Sequence, residues 1–173
     1  MTNSLVSPND LAPFPGAPFS DEVTDAAAAA VRVACDWHIA PSLTETITVE
    51  SSHGQYLILP TLNLTEIVSI YDVTDDALPL VITGYRTAPT AQFKAGMVDL
   101  GARWPRGFIE ATITHGYAAC PPDLLPAIAE LARSARTTAE LSQVSADGVS
   151  RTISGRVSHD SSSAIARYTI FQV

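Results

Sequence analysis

The spacing of apolar residues changes twice along this chain, and that change constrains the fold more than any other feature. Between Asp21 and Trp37, the residues Val23, Ala27, Ala30, Ala34 and Trp37 recur at helical spacing and give one apolar stripe. From Glu45 to His115 the pattern becomes alternation, as in Ile47 and Val49 or in Ile109, Ala111 and Ile113. Past Pro121 the helical spacing returns, with Leu124, Ile128, Leu131 and Ala135 on one stripe. A chain with this order sets a block of strands between two helices. The expected class is α+β, a helical core of two main helices with an inserted antiparallel β region.

The boundaries carry their own signals. Ser20 is a suitable N-cap, Asp21 and Glu22 complement the positive end of the first helix dipole, and Pro41 disfavours helix at Ala40. His38 follows Trp37 at that helix end, where an imidazolium suits the dipole. The alanine run 26–30 makes the helix thin enough to pack closely on a partner element. Strands are expected at Glu45–Ser51 and Gln55–Leu59, joined by a turn at Ser52-His53-Gly54. Two more are expected at Thr65–Val73 and Leu80–Thr83 around Thr74-Asp75-Asp76, and another at Phe108–His115. Residues 88–106 read as a long loop or a short hairpin, with Trp104-Pro105-Arg106-Gly107 turning into the next strand. The second helix opens at Pro121-Pro122-Asp123, with Pro126 in its first turn and Arg133 and Arg136 at its negative end.

Both ends look different from the middle. Residues 1–19 hold Pro8, Pro13, Pro15 and Pro18 and read as an extended arm. Its Leu11, Phe14 and Phe19 dock either on the chain's own core or on a neighbour. Residues 138–173 read as a linker followed by a C-terminal β-hairpin or extended arm, with Val149–Val157 and Ala164–Val173 around His159–Ser163. Ile165, Tyr168, Ile170 and Phe171 make that last segment apolar on both faces, so it wants cover on both sides. Phe14, Phe19, Ile165, Tyr168, Ile170 and Phe171 are the candidate interface residues. The resulting division is 1–19 arm, 20–137 single domain and 138–173 linker with hairpin or arm.

Charge and chemistry exclude more than they point to. The formal net charge is −8, and such an acidic surface repels phosphates and anionic lipid. Lys94 is the only lysine among ten basic residues, an arginine bias that fits a GC-rich genome. No run reaches the roughly 18–20 apolar residues of a membrane span, and no secretory leader is recognisable. Cys35 and Cys120 form neither a disulfide framework nor a zinc site. His38, His53, His115 and His159 are scattered, and His115 alternates onto the apolar face of Ile109 and Ile113 as a structural histidine. Asp72, Asp75 and Asp76 lack the ligand order of a calcium loop. Ser158-His159-Asp160 has the letters of a hydrolase triad, but adjacent residues cannot converge as one. Phosphate-binding glycine signatures are absent. No catalytic, cofactor-binding or metal-binding residues are assigned, and no cofactor is expected.

Several stretches in order carry a resemblance. Leu11-Ala12-Pro13-Phe14-Pro15-Gly16 leads into the Ala-rich helix, which closes in Trp37-His38-Ile39-Ala40-Pro41. Leu57-Ile58-Leu59-Pro60 follows in a hairpin, and Thr114-His115-Gly116-Tyr117 runs through Cys120-Pro121-Pro122-Asp123-Leu124 into the second helix. Over most of residues 11–137 this order resembles the head-to-tail adaptor (head-tail connector) proteins of long-tailed bacteriophages, particularly those of actinobacteria. The resemblance implies a non-catalytic virion protein at the head-tail interface, made in the host cytoplasm. It also implies a ring, usually dodecameric, that binds the portal protein and meets a tail-side stopper or tail-terminator protein. Genome DNA would pass through its lumen without specific binding. A head-completion stopper or tail-terminator subunit is the alternative within the virion. A small cytoplasmic enzyme or ligand-binding module is the alternative from another class; it would need a convergent polar pocket.

Overall fold

The computed structural model describes residues 4–75, 79–86, 95–144 and 158–170, with side chains described outside 137–144. The chain divides into two compact units, Met1–Asp36 together with Ala119–Val173, and Trp37–Ala118. Among the described residues, the first contains three helices, α1 (Asp21–Cys35), α2 (Leu125–Val144) and α3 (His159–Arg167). Among the described residues, the second contains six strands, β1 (Leu43–Ser52), β2 (Tyr56–Ile58), β3 (Leu64–Asp72), β4 (Leu80–Val81), β5 (Met97–Asp99) and β6 (Arg106–His115). The architecture is α+β, with an antiparallel strand region inserted into a helical core. No helix among the described residues is long and apolar enough to cross a membrane.

In the helical unit, the Ser20 hydroxyl accepts from Val23 N (3.4 Å) and starts α1. Asp36 ends it at φ 61°, with its amide donating to Arg32 O. The buried face of α1 is Thr24, Ala27, Ala28, Val31 and Cys35. Ala30 and Ala34, expected on the buried stripe, are exposed. A run of five alanines offers every face equally, so packing on α2 chose the orientation. His38 follows Asp36, which closes the helix, and its ring bonds Pro41 O. Leu124, Ala127, Ile128 and Ala132 form the buried face around α2. Ala135 is exposed. Because α2 continues to Val144, Arg133 and Arg136 lie mid-helix, not at its negative end.

The N-terminal segment corrects the extended-arm expectation. It folds through consecutive turns, in which Leu11 N donates to Pro8 O, Phe14 N to Leu11 O and Ala17 N to Phe14 O. Prolines with φ near −65° suit turn positions as well as extension, and burial of Leu11 and Phe19 in the helical unit decides for turns.

The closing hairpin is also corrected. His159–Arg167 is a helix, N-capped by Ser158, whose hydroxyl accepts from Ser161 N (3.3 Å). Ser161 and Ala164 face inward at helical spacing. Val149–Val157 and Phe171 lie outside the described residues.

In the strand unit, one sheet runs β1-β6-β3-β4 and a second pairs β2 with β5. β1 and β6 stay in register over ten residue pairs, from Leu43↔His115 to Ser52↔Arg106. β2 therefore does not return against β1 as a hairpin; its partner is β5, in the stretch expected to be a loop or short hairpin. Arg106 and Gly107 already belong to β6. One face of the sheet packs into a core of Ile67, Ile70, Ile109, Ala111 and Ile113 with Leu57, Leu59, Val98 and Trp104. Trp104 is fully buried and its indole N–H donates to Val98 O (3.1 Å), so the largest core side chain is also polar-satisfied.

Candidate assembly surfaces

Polar contacts tie α3 to the helical unit at both ends. The amide and hydroxyl of Ser158 donate to Glu130 Oε1 (3.0 Å) and Oε2 (2.9 Å). Hydrogen bonds led by that from Ser161, with others from Ser158, hold the Glu130 carboxyl below the usual carboxylate range. At the far end, Asp123 accepts from the Tyr168 hydroxyl (2.8 Å) and pairs with Arg167 (3.1 Å). Ile170 N donates to Cys35 O (3.0 Å), satisfying a carbonyl in the last turn of α1.

The Ser158 hydroxyl is thus committed to capping and to Glu130, not poised as a nucleophile. Burial pushes the Cys120 thiol up to about 12, helped by Asp10 and Asp123, and burial also raises that of Cys35. At Cys120 burial outweighs the nearby Arg32 cation, so neither thiol has the lowered pKa of a reactive thiolate. Asp72 Oδ1 accepts from Thr74 N (3.0 Å) in a local turn. His53 Nδ1 lies 2.7 Å from Trp104 O. Among the described residues no three His, Cys, Asp or Glu side chains are grouped to hold a metal.

The candidate interface residues fall into different settings. Phe19 is buried, while Phe14, Ile165, Tyr168 and Ile170 are half-buried in the helical unit. Phe14 lines an open cleft of about 310 Å³ with Pro126, Glu130, Arg133 and Ser161. Gly16, at φ 98°, brings the turn against this wall, where an added Cβ would lie 3.3 Å from Arg133 Cγ. Arg136 Nη1 donates to Gly16 O (3.1 Å), which gives the mid-helix arginine its role.

The four-stranded sheet presents a different surface. On the face away from the core, Thr44 and Thr114 bond hydroxyl to hydroxyl at 2.8 Å, and Thr46 and Thr112 do the same. Glu50, Glu66 and Glu110 share that face by register, and Arg106 stands at its end. At the β4 edge Leu80 and Val81 are 65% and 63% exposed and line a cleft of about 550 Å³ with Leu100, Arg103 and Pro105.

No protein-family model matches the chain, and no curated protein matches it in sequence. Solved structures do match in fold. The fold is similar to that of chains in a gene transfer agent (GTA) particle. A chain from the neck of an empty GTA particle computed with C6 symmetry aligns at TM-score 0.60 and 19% identity, covering 100% of this chain and 97% of that one. A chain from the neck of a native particle computed with C12 symmetry aligns at 0.58 and 21% identity, with the same coverage. A chain from the virion of the native particle aligns at 0.60 and 18% identity, again with 100% and 97% covered.

Sequence reasoning singled out the two chain ends and passed over the sheet. The exposed Leu80 and Val81 lay in a segment read only as a strand. The threonine face was written as alternation in Thr44, Thr46 and Thr48 and in Thr112 and Thr114, but only the β1–β6 register joins it into one surface.

Proposed function

We propose that this chain is a non-catalytic structural subunit at the head-tail junction of a phage-like particle. In this reading it forms a homo-oligomeric ring between the portal and a tail-side stopper or tail-terminator protein, and the genome passes through its lumen. The observation that carries the reading is the fold likeness to neck chains, which runs the length of this chain. The C6 and C12 symmetries of those neck reconstructions favour a ring, with twelve copies as the finer expectation.

The surface chemistry supports the same role. Along the outer sheet face, hydroxyls and the carboxylates of Glu50, Glu66 and Glu110 leave no cation between Phe108 and Thr114. Such a face repels phosphate and would let DNA slide past without gripping it. The Ser158 hydroxyl is absorbed in capping α3 and in its bond to Glu130, and the Thr74 hydroxyl in accepting from Phe108 N of β6, which fits a structural protein.

Electron microscopy of the purified chain with the portal ring from the same genome tests the reading. A coaxial ring of added density at the portal's narrow end is the expected result. A saturated portal left bare would rule out the adaptor position and move the search to tail-end partners. A basic lumen in the assembled ring would overturn the sliding surface.

A further inference from the structure

We infer that neighbouring subunits join sheet edge to sheet edge, β1 of one copy pairing with β4 of the next. The inference rests on the ring reading above and names the contact that would propagate it. Among the described residues, no strand borders β1 or β4 on its outer side. β1 is ten residues long, free of proline and lysine, and uninterrupted in its register with β6. An edge of that length and regularity is a template for another strand unless something covers it.

Three properties of the two edges make a second copy the fitting occupant. The first is direction. The pairs β1–β6, β6–β3 and β3–β4 are all antiparallel, so β1 and β4 run in opposite senses. A second copy placed beside the first therefore brings its β4 antiparallel to β1, and the sheet continues unbroken. Such a contact uses a different patch on each copy, and repetition about an axis closes it into a ring.

The second is the facing of apolar side chains. Ile47 and Val49 sit half-buried at the β1 edge on the core side of the sheet. Leu80 opposes Asp72, and Asp72 opposes Ile109, so Leu80 points to that same side, with Ile82 also packed against the core. Joined edges would continue one apolar strip across the junction and withdraw Leu80 from water.

The third is charge. β1 carries Glu45 and Glu50 and no cation, whereas the cleft beside Leu80 and Val81 holds Arg103 together with Asp72, so a cation is at hand there for the β1 carboxylates although the cleft itself is balanced. The short β4 makes each junction weak alone, and closure of the ring multiplies it.

Cysteine pairs on the outer sheet face test this directly, since Thr46, Thr48, Glu50 and Val81 are all exposed. Each of Thr46→Cys, Thr48→Cys and Glu50→Cys is combined with Val81→Cys in the full chain assembled on the portal. A disulfide needs Cα atoms within about 7 Å, so the three positions sample the possible registers. Under mild oxidation one double variant should give a covalent ladder rising to the closed ring on a denaturing gel. A mixture of the corresponding single variants should stop at dimers. A ring visible by microscopy with no ladder from any pair overturns the edge contact while leaving the ring reading intact. So does self-crosslinking of the β1 variants alone, which would mean a two-fold β1–β1 contact. A chain that stays monomeric with and without portal overturns the ring reading, and this contact falls with it.

Discussion

Nε2 of His115 and Oε1 of Glu45 lie 2.8 Å apart across the β1–β6 pair, the imidazole buried and the carboxylate at the strand edge. The other ring nitrogen, Nδ1, has no hydrogen-bond partner among the described residues. Glu45 is therefore the side chain that satisfies this histidine. Glu45→Ala should cost about 1–3 kcal/mol, since a buried polar atom loses its partner. Glu45→Gln should cost less, because it retains an acceptor. Thermal denaturation of the two variants checks the order.

Trp104 joins the strand core through both its ring and its N–H. Trp104→Ala should destabilise by about 3–5 kcal/mol through the cavity it leaves. Trp104→Phe should cost about 1–3 kcal/mol, chiefly by stranding the Val98 carbonyl. Denaturant unfolding, with the midpoint shift read at constant slope, distinguishes the two.

Gly96 sits at φ 79°, where a Cβ would stand 2.3 Å from Leu59 O and 2.8 Å from Thr61 O. Its own carbonyl accepts from Leu59 N at 2.8 Å, so the loops before β3 and β5 are held together there. Gly96→Ala should cost at least about 2 kcal/mol. The variant's melting temperature provides the check.

The Glu130 carboxyl, lowered by hydrogen bonds from Ser161 and Ser158, gives α3 a dependence on pH. A depressed carboxyl contributes stability that is complete above its unfolded value, about 4.3, and is lost as pH falls through the folded one. Amide exchange in residues 159–167 should therefore track intrinsic rates from pH 7 to 5 and gain extra opening below about pH 4. Glu130→Gln should show that opening already at pH 7.

Both thiols should resist a disulfide reagent at neutral pH in the folded protein and react on unfolding. The Cys120 thiol, raised from 9.0 to about 12, favours the folded state below pH 9 and loses that contribution as pH rises toward 12. Timed thiol titration in native and denaturing buffer provides the measurement.

What could be read without coordinates was local. The Ser20 cap, the acidic first turn of α1, the alternation in β1 and β6 and the inward His115 each follow from a few adjacent residues whose period has one solution. The candidate surfaces were legible only in part. Phe19 proved to be core, and Leu80 and Val81 emerged as the exposed pair.

The sequence by itself determined the order helix, strands, helix, because a change of apolar period needs no distant partner. Only the tertiary structure decided which strands meet: β1 takes β6 and leaves β2 to β5, since pairing depends on residues about forty or more positions apart. It also decided that 159–167 is a helix. Ile165, Tyr168 and Ile170 fit a strand as readily, but Glu130 supplies partners for Ser158 at one end while Asp123 and Cys35 hold the other. Those contacts come from segments far away in the chain, and no local pattern encodes them.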